Sequence, residues 1–223
     1  MSRRAATTPW FWLSGAIVAG AALARWQLGR LFNETPAYEL EGQIGPLEIR
    51  RYAPHCVAET RVSARSWDVA LNEGFRRLAG YIFGGNRPAS LPPVAAPSNQ
   101  FHQQDRPETI DMTSPVNMRP ERPENLARSY LVSFNMPAGR TAESLPVPND
   151  TRVSVTSQPA RRVAVLRYRG RYNGPTVAKK IAELLGYVRQ AGLKQRGEPE
   201  FAGYDAPFTL PILRRNEIWL DLA

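Results

Sequence analysis

The sequence predicts a mixed α+β fold with a mostly antiparallel sheet and two helices, laid out as one unit used twice. Three observations carry that expectation. LAGYIFGGN, around Gly80, and LLGYVRQAG, around Gly186, share Leu-x-Gly-Tyr followed by a β-branched residue. Two further landmarks recur in the same order: EIRRY (48–52) resembles AVLRY (164–168), and SPV (114–116) holds the place that APF (206–208) holds later. The text of each half also runs strand, helix, strand, strand. Two helices are too few to cover both faces of a parallel sheet, which favours antiparallel pairing.

The elements follow from local pattern. Repeat one spans about 38–139 and opens on YELEGQIGPLEIRRYAPHCVAETRV (38–62), strand-like text broken at Gly45-Pro46 and Pro54. SWDVALNEGFRRLAGYIFGGN (66–86) predicts a helix. Ser66 suits its cap and Asp68 its first turn. Trp67, Leu71, Phe75, Leu78 and Ile82 fall on one face, and Gly84-Gly85 ends the run. IDMTSPVNM (110–118) and SYLVSFNMP (129–137) read as strands. Repeat two, about 150–222, opens on a strand pair at 151–170. A helix follows over 173–192, with Asn173 at the cap, Pro175 in the first turn and Gly192 at the end. Strands at 201–210 and 215–222 close the chain. The Pro-rich stretch 87–108 reads as a surface loop, and 140–151 as the hinge between repeats.

The first 33 residues have no place in that plan. Residues 10–24 carry no charge, and fifteen helical residues rise about 22 Å. Extension through residue 32 reaches across a bilayer, with Arg25 snorkelling. The expectation is a signal-anchor crossing the membrane through residues 10–32, or a signal peptide cleaved after Ala24. In both cases Arg3 and Arg4 stay inside and the domain, 34–223, is exported to the periplasmic or extracellular side.

Composition excludes more than it assigns. The 223 residues carry a formal charge of +9, with 29 basic residues of which only Lys179, Lys180 and Lys194 are lysine. The arginines are scattered in runs no longer than two and are not interleaved with aromatic residues, so nucleic-acid binding is not expected. Cys56 is the one cysteine, so neither an intramolecular disulfide nor a Cys-rich metal site is available. No GxSxG, HExxH, GxxxxGK[ST] or GxGxxG motif occurs. The histidines are His55 and His102. His55 and Cys56 are neighbours on strand-like text and point to opposite faces, so they do not form a nucleophile–base pair. Glu108, Asp111, Asp205 and Glu217 are dispersed, and Glu217 beside Arg214 and Arg215 reads as a structural ion pair. Met112 and Met118 share a face if the strand is regular. Binding is therefore expected rather than catalysis, and no protein metal site.

LEIRRYAPHCVAET, GFRRLAGYIFGGN, IDMTSPV, LPVPND, YDAPF and RRNEIWL, in this order, resemble the SOUL/haem-binding protein family over about residues 38–222. The resemblance implies two pseudo-symmetric β-α-β-β units forming a distorted antiparallel barrel with two flanking helices. It implies non-catalytic binding of haem or another tetrapyrrole at an apolar patch on the first helix, as a carrier or buffer at the cell envelope. Carried onto this chain, the patch is Asn72, Phe75 and Ala79, with Leu71 and Leu78 beside them. Arg76, Arg77 or Arg171 would take the propionates. Some members are proposed to ligate iron through a His just before the Tyr of the EIRxY motif; that position is Arg51 here. The fold resembles effector-binding domains of multidrug-responsive regulators. The alternative is thus a sensor or sequestering module for another flat apolar molecule, and after that an enzyme using the cleft between the repeats.

Overall fold

Two capped helices and a single large sheet organise the domain. The structure is a computed structural model that describes residues 33–89, 106–121, 128–205 and 209–223, nearly all within the compact unit Glu34–Ala223. The expected membrane segment 10–32, residues 90–105 with His102, and the landmark APF at 206–208 lie outside the described residues. Among the described residues no helix is long and apolar enough to cross a membrane.

Helix α1 (Trp67–Ile82) starts at Ser66, whose hydroxyl accepts from the Val69 N–H at 3.4 Å. It ends at Ile82, just before the expected stop at Gly84-Gly85. Helix α2 (Gly174–Gln190) starts at Asn173, whose side-chain oxygen accepts from the Thr176 N–H at 3.1 Å. Pro175 occupies its first turn, where a missing N–H costs nothing. Gly192 takes φ +65°, a left-handed conformation that stops the chain from continuing as helix.

The strands are β1 (Tyr38–Ile44), β2 (Leu47–Tyr52), β3 (His55–Ser63), β4 (Asn86–Arg87), β5 (Val116–Glu121), β6 (Ser129–Asn135), β7 (Val147–Pro148), β8 (Val153–Gln158), β9 (Arg161–Arg169), β10 (Glu200–Gly203) and β11 (Arg215–Asp221). Nine of them form one antiparallel sheet in the order β1-β2-β9-β11-β10-β5-β6-β3-β8, and β4 pairs with β7 as a separate ribbon. Exchange β2 with β8, β3 with β9, β5 with β10 and β6 with β11, and the order from β2 to β8 reads the same backwards. The sheet curls: His55 and Gln158 of β3 and β8 line one cleft with Arg161 and Glu200 of β9 and β10. The fold is α+β, a distorted antiparallel half-barrel with two helices.

The expected unit needs correcting in detail. α1 is preceded by three strands, β1 to β3, and within repeat two α2 follows the expected strand pair, β8 and β9. The two strands nearest α1 are not a hairpin: β2 pairs with β1 and β9, whereas β3 pairs with β6 and β8. The predicted strand 110–118 starts only at Val116, because Ile110 donates its N–H to the Ile82 carbonyl and Thr113 its hydroxyl to the Asn135 carbonyl, tying that stretch down as a loop. Met112 therefore lies outside the strand that carries Met118. The predicted strand 201–210 is described only over Glu200–Gly203. The β4–β7 ribbon was hidden in stretches read as loop and hinge.

Alternation along the strands sorts side chains onto two faces. Cys56, Ala58, Val62, Met118, Val132 and Phe134 pack under α1 with Leu78, Tyr81 and Ile82. Leu47, Ile49, Ala164, Leu166, Ile218 and Leu220 pack under α2 with Val177, Leu184 and Val188. Trp67 and Leu71 touch both clusters and join them. Gly74 lets α1 approach β6: a Cβ there would lie 2.5 Å from the Val132 Cγ2. The other face of the sheet is concave and carries charge.

Candidate functional site

α1 presents two adjacent stripes one residue out of phase. Leu71, Phe75, Leu78 and Ile82 form the inner one. Leu78 and Ile82 are in the core, at 0% and 1% exposure, while Leu71 and Phe75 are partly buried against it. The Phe75 ring meets Phe134 edge-on at 5.3 Å. Asn72, Arg76, Ala79 and Phe83 form the outer stripe. Asn72, Arg76 and Phe83 are exposed and Ala79 is half-buried. Gly80, next to Ala79, has open space where a side chain would stand. Between Arg76 and Phe83 the helix surface is therefore low and apolar, a shallow platform with a cation at one end and an aromatic ring at the other.

The structure thus divides the residues expected from the sequence. Asn72, Arg76 and Ala79 share the outer stripe, and Leu71 and Phe75 flank it with partly exposed side chains. Leu78 lies beneath, wholly inside. Arg77 is engaged elsewhere: it donates to the Arg61 carbonyl at 2.9 Å and pairs with Glu73. Arg171 is exposed beside Tyr172, whose ring lies 6.3 Å from that of Trp67 at the start of α1. Arg76 stands nine residues further on, about 13 Å along the helix. Arg76 and Arg171 therefore do not converge on one point. Phe83 and Gly80 were not singled out from the sequence; the signal was present, as Phe83 continues the spacing Asn72, Arg76, Ala79.

The concave face holds a buried ionic cluster. Glu217 of β11 is 0% exposed and Arg50 of β2 is 1% exposed. The Glu217 carboxylate accepts from Arg50 Nη1 (2.9 Å) and Nη2 (3.1 Å), Tyr204 Oη (2.9 Å), Trp219 Nε1 (2.8 Å) and Arg215 Nη2 (2.7 Å). Arg50 also donates to Glu48 (2.8 Å) and Tyr52 Oη (3.0 Å), and its guanidinium lies over the Tyr38 ring. Burial disfavours both charges, but the hydrogen bonds and opposite charge of each partner outweigh it: the Glu217 pKa is held below the usual range and that of Arg50 above it. Burial, then the Glu217 charge, pushes the Tyr204 hydroxyl up. The sequence expectation of a structural ion pair at Glu217 is realised with Arg215. Arg214 instead donates to the Thr209 carbonyl at 2.7 Å. Arg50, the bidentate partner, was not foreseen.

Beside this cluster a small cleft is lined by His55, Glu59, Asn117, Arg119, Arg161 and Glu200, among others. Three buried polar atoms of that lining have no protein partner: His55 Nε2, Asn117 Nδ2 and Arg161 Nε. Its interior is about 20 Å³, room for one water-sized group and far too little for a porphyrin.

The groups able to ligate iron are dispersed. His55 faces the cleft, with Nδ1 donating to the Ala53 carbonyl at 2.9 Å. Cys56 points the other way, into the core under α1, as neighbours on a strand must. Met118 is buried in the same cluster and Met112 half-buried against it. Arg51 is exposed and pairs with Glu41. Among the described residues no group of three or more His, Cys, Asp or Glu is placed to hold a metal ion. The α1 surface thus carries a low apolar strip at Ala79 and Gly80 beside the Arg76 cation, and none of these candidate ligands stands exposed on it.

Heme-binding protein 2 of Mus musculus is 27% identical over 184 residues, 82% of this chain and 80% of the mouse protein. Heme-binding protein 2 of Homo sapiens is 26% identical over 195 residues, 84% and 85% of the two chains. The solved EcmrR C-terminal domain superposes with a TM-score of 0.52 at 11% identity, over 83% of this chain and 98% of that one, a likeness that shows the fold alone. The family model described as SOUL heme-binding protein matches residues 33–221. With a match that spans the sheet and both helices, this chain belongs to the SOUL heme-binding protein family.

Proposed function

We propose that the chain binds haem or another tetrapyrrole non-covalently on the outer stripe of α1 and serves as a carrier or buffer rather than an enzyme. The observation that carries the reading is the low platform at Ala79 and Gly80, between the exposed Arg76 and the exposed Phe83. A porphyrin presents a flat apolar face and two carboxylates. The platform and the Phe83 ring suit the face, and Arg76 suits one propionate. Family membership supports a tetrapyrrole as the ligand. Binding without catalysis is supported by the state of Glu217: its carboxylate is saturated with donors and has no lone pair left to act as a base. We infer further that residues 10–32 anchor the domain to a membrane with 34–223 on the exported side, or that the segment is cleaved after Ala24 and the domain released; alkaline carbonate extraction and N-terminal sequencing of the mature protein separate the two.

The ligand test is a haem titration repeated with metal-free protoporphyrin. Similar affinities are expected, because the platform supplies surface rather than an iron ligand. Ala79→Asp places a charge under the porphyrin and is expected to weaken binding by tenfold or more, about 1.4 kcal/mol, with unfolding unchanged. Arg76→Glu is expected to weaken binding less, since one propionate contact is exposed. A low-spin haem spectrum lost in His55→Ala would move the site to the concave cleft and overturn the reading.

A further inference from the structure

The turn between β10 and β11 exposes apolar side chains that the fold does not use. Ile212 is 73% exposed, Leu210 62% and Leu213 44%. They lie on and beside the 3-10 turn Pro211–Leu213, which lies against β9. Scattered exposed apolar residues are ordinary, but three within four positions on a projecting turn make a contact element. The surroundings are cationic. Arg169 of β9 is exposed and pairs in register with Arg215, two residues beyond Leu213. Arg171 is exposed next along the chain. The Arg214 guanidinium lies over the Tyr172 ring at 4.8 Å. Of the carboxylates around it, Glu217 is buried in its ion cluster, Asp205 accepts from the Arg215 backbone N–H, and the exposed Asp68 at the start of α1 lies close enough to Tyr172 to act on its hydroxyl.

Three side chains are too few for a stable protein interface, which needs about 800 Å² from each partner. An apolar tip inside a collar of arginines has a different natural seat. In a bilayer interface the tip reaches the acyl boundary and the guanidinium forks meet lipid phosphates two oxygens at a time. We propose that the segment 209–214 inserts into the surface of an anionic lipid bilayer, with Leu210, Ile212 and Leu213 below the phosphates and Arg169, Arg171 and Arg214 among them. This contact does not depend on haem. It would hold the domain in one orientation on the membrane rather than free to tumble.

The test uses the full chain carrying Cys56→Ser, so that a single engineered thiol is labelled. An environment-sensitive fluorophore is placed at Ile212→Cys and, separately, at Tyr187→Cys on the outer side of α2. On phosphatidylglycerol vesicles the label at 212 is expected to shift to the blue and to be quenched by spin-labelled lipid, while the label at 187 stays aqueous. On phosphatidylcholine vesicles, or at high salt, the shift at 212 is expected to fall about tenfold, as it is on combining Arg169→Glu with Arg171→Glu. An aqueous signal at 212 on phosphatidylglycerol overturns the proposal. So does a shift at 212 that rises with protein concentration before vesicles are added, which would seat a second copy of the chain on the turn. A shift equal on both lipids overturns the role of the arginines.

Discussion

The two faces of the curled sheet bury side chains by opposite means. Under α1 and α2 the buried surface is hydrocarbon, and Leu78 and Leu184 are both wholly enclosed. On the concave face Val163, Val165 and Ala202 are buried with Tyr52 and Trp219, but the face also buries the charges Arg50 and Glu217, held by hydrogen bonds to one another and to Tyr52 and Trp219. A hydrocarbon core loses stability in proportion to the atoms removed. A buried ion cluster loses it abruptly, because deleting one member strands the others. The concave face between β2 and β11 is filled by the Arg50 guanidinium and the Glu217 carboxylate.

The largest expected effect tests the ionic face. Glu217→Ala leaves Arg50 and Arg215 close together without their shared carboxylate, and a loss of about 3–5 kcal/mol is expected in urea unfolding. Arg50→Met combined with Glu217→Leu is expected to recover much of that loss. A double variant as unstable as Glu217→Ala would show that the cluster's shape, rather than its charge, matters. The same pair sets an acid limit. The Glu217 pKa is lowered from its ordinary 4.5 in the folded state, so its contribution is complete above that value and disappears as pH falls through the lower one. Stability curves of wild type and the double variant are expected to converge below about pH 4.5.

The apolar face is tested by Leu78→Ala and Leu184→Ala, expected to cost about 2–5 kcal/mol each and to match one another. A cost near zero for one of them would mean that its helix is not seated on the sheet. Gly74→Ala and Gly186→Ala separate the two helices further. At Gly74 the new methyl meets Val132, and about 1–3 kcal/mol of overpacking is expected. At Gly186 nothing lies within 4 Å, so the same change is expected to stabilise by about 0.5–1 kcal/mol through backbone entropy. Equal effects at the two glycines would erase the difference in approach. The caps act on the same small scale: Ser66→Ala and Asn173→Ala are each expected to lower the melting temperature by an amount equivalent to about 1 kcal/mol.

By itself the sequence determined the local elements. Ser66, Asn173, Pro175 and Gly192 act within a few residues of chain, and their caps and stops stand where the text placed them. The strand alternation of β9 and β11, and the opposite facing of His55 and Cys56, were legible for the same reason: a strand's period is set by its own backbone. On α1 the spacing grouped Leu71, Phe75, Leu78 and Ile82 on one apolar face, and docking on β3 and β6 buried Leu78 and Ile82 there. Asn72 and Ala79 were marked by the family resemblance, and only the docking decided that Ala79 stays half-buried beside that face. The strand order was decided only in three dimensions, because β2 and β3 part company at Pro54 to pair with strands far along the chain. So was the union of Arg50 with Glu217, 167 residues apart. Neither residue carries a local mark of its partner; the sheet's register brings them together, and burial then makes each indispensable to the other.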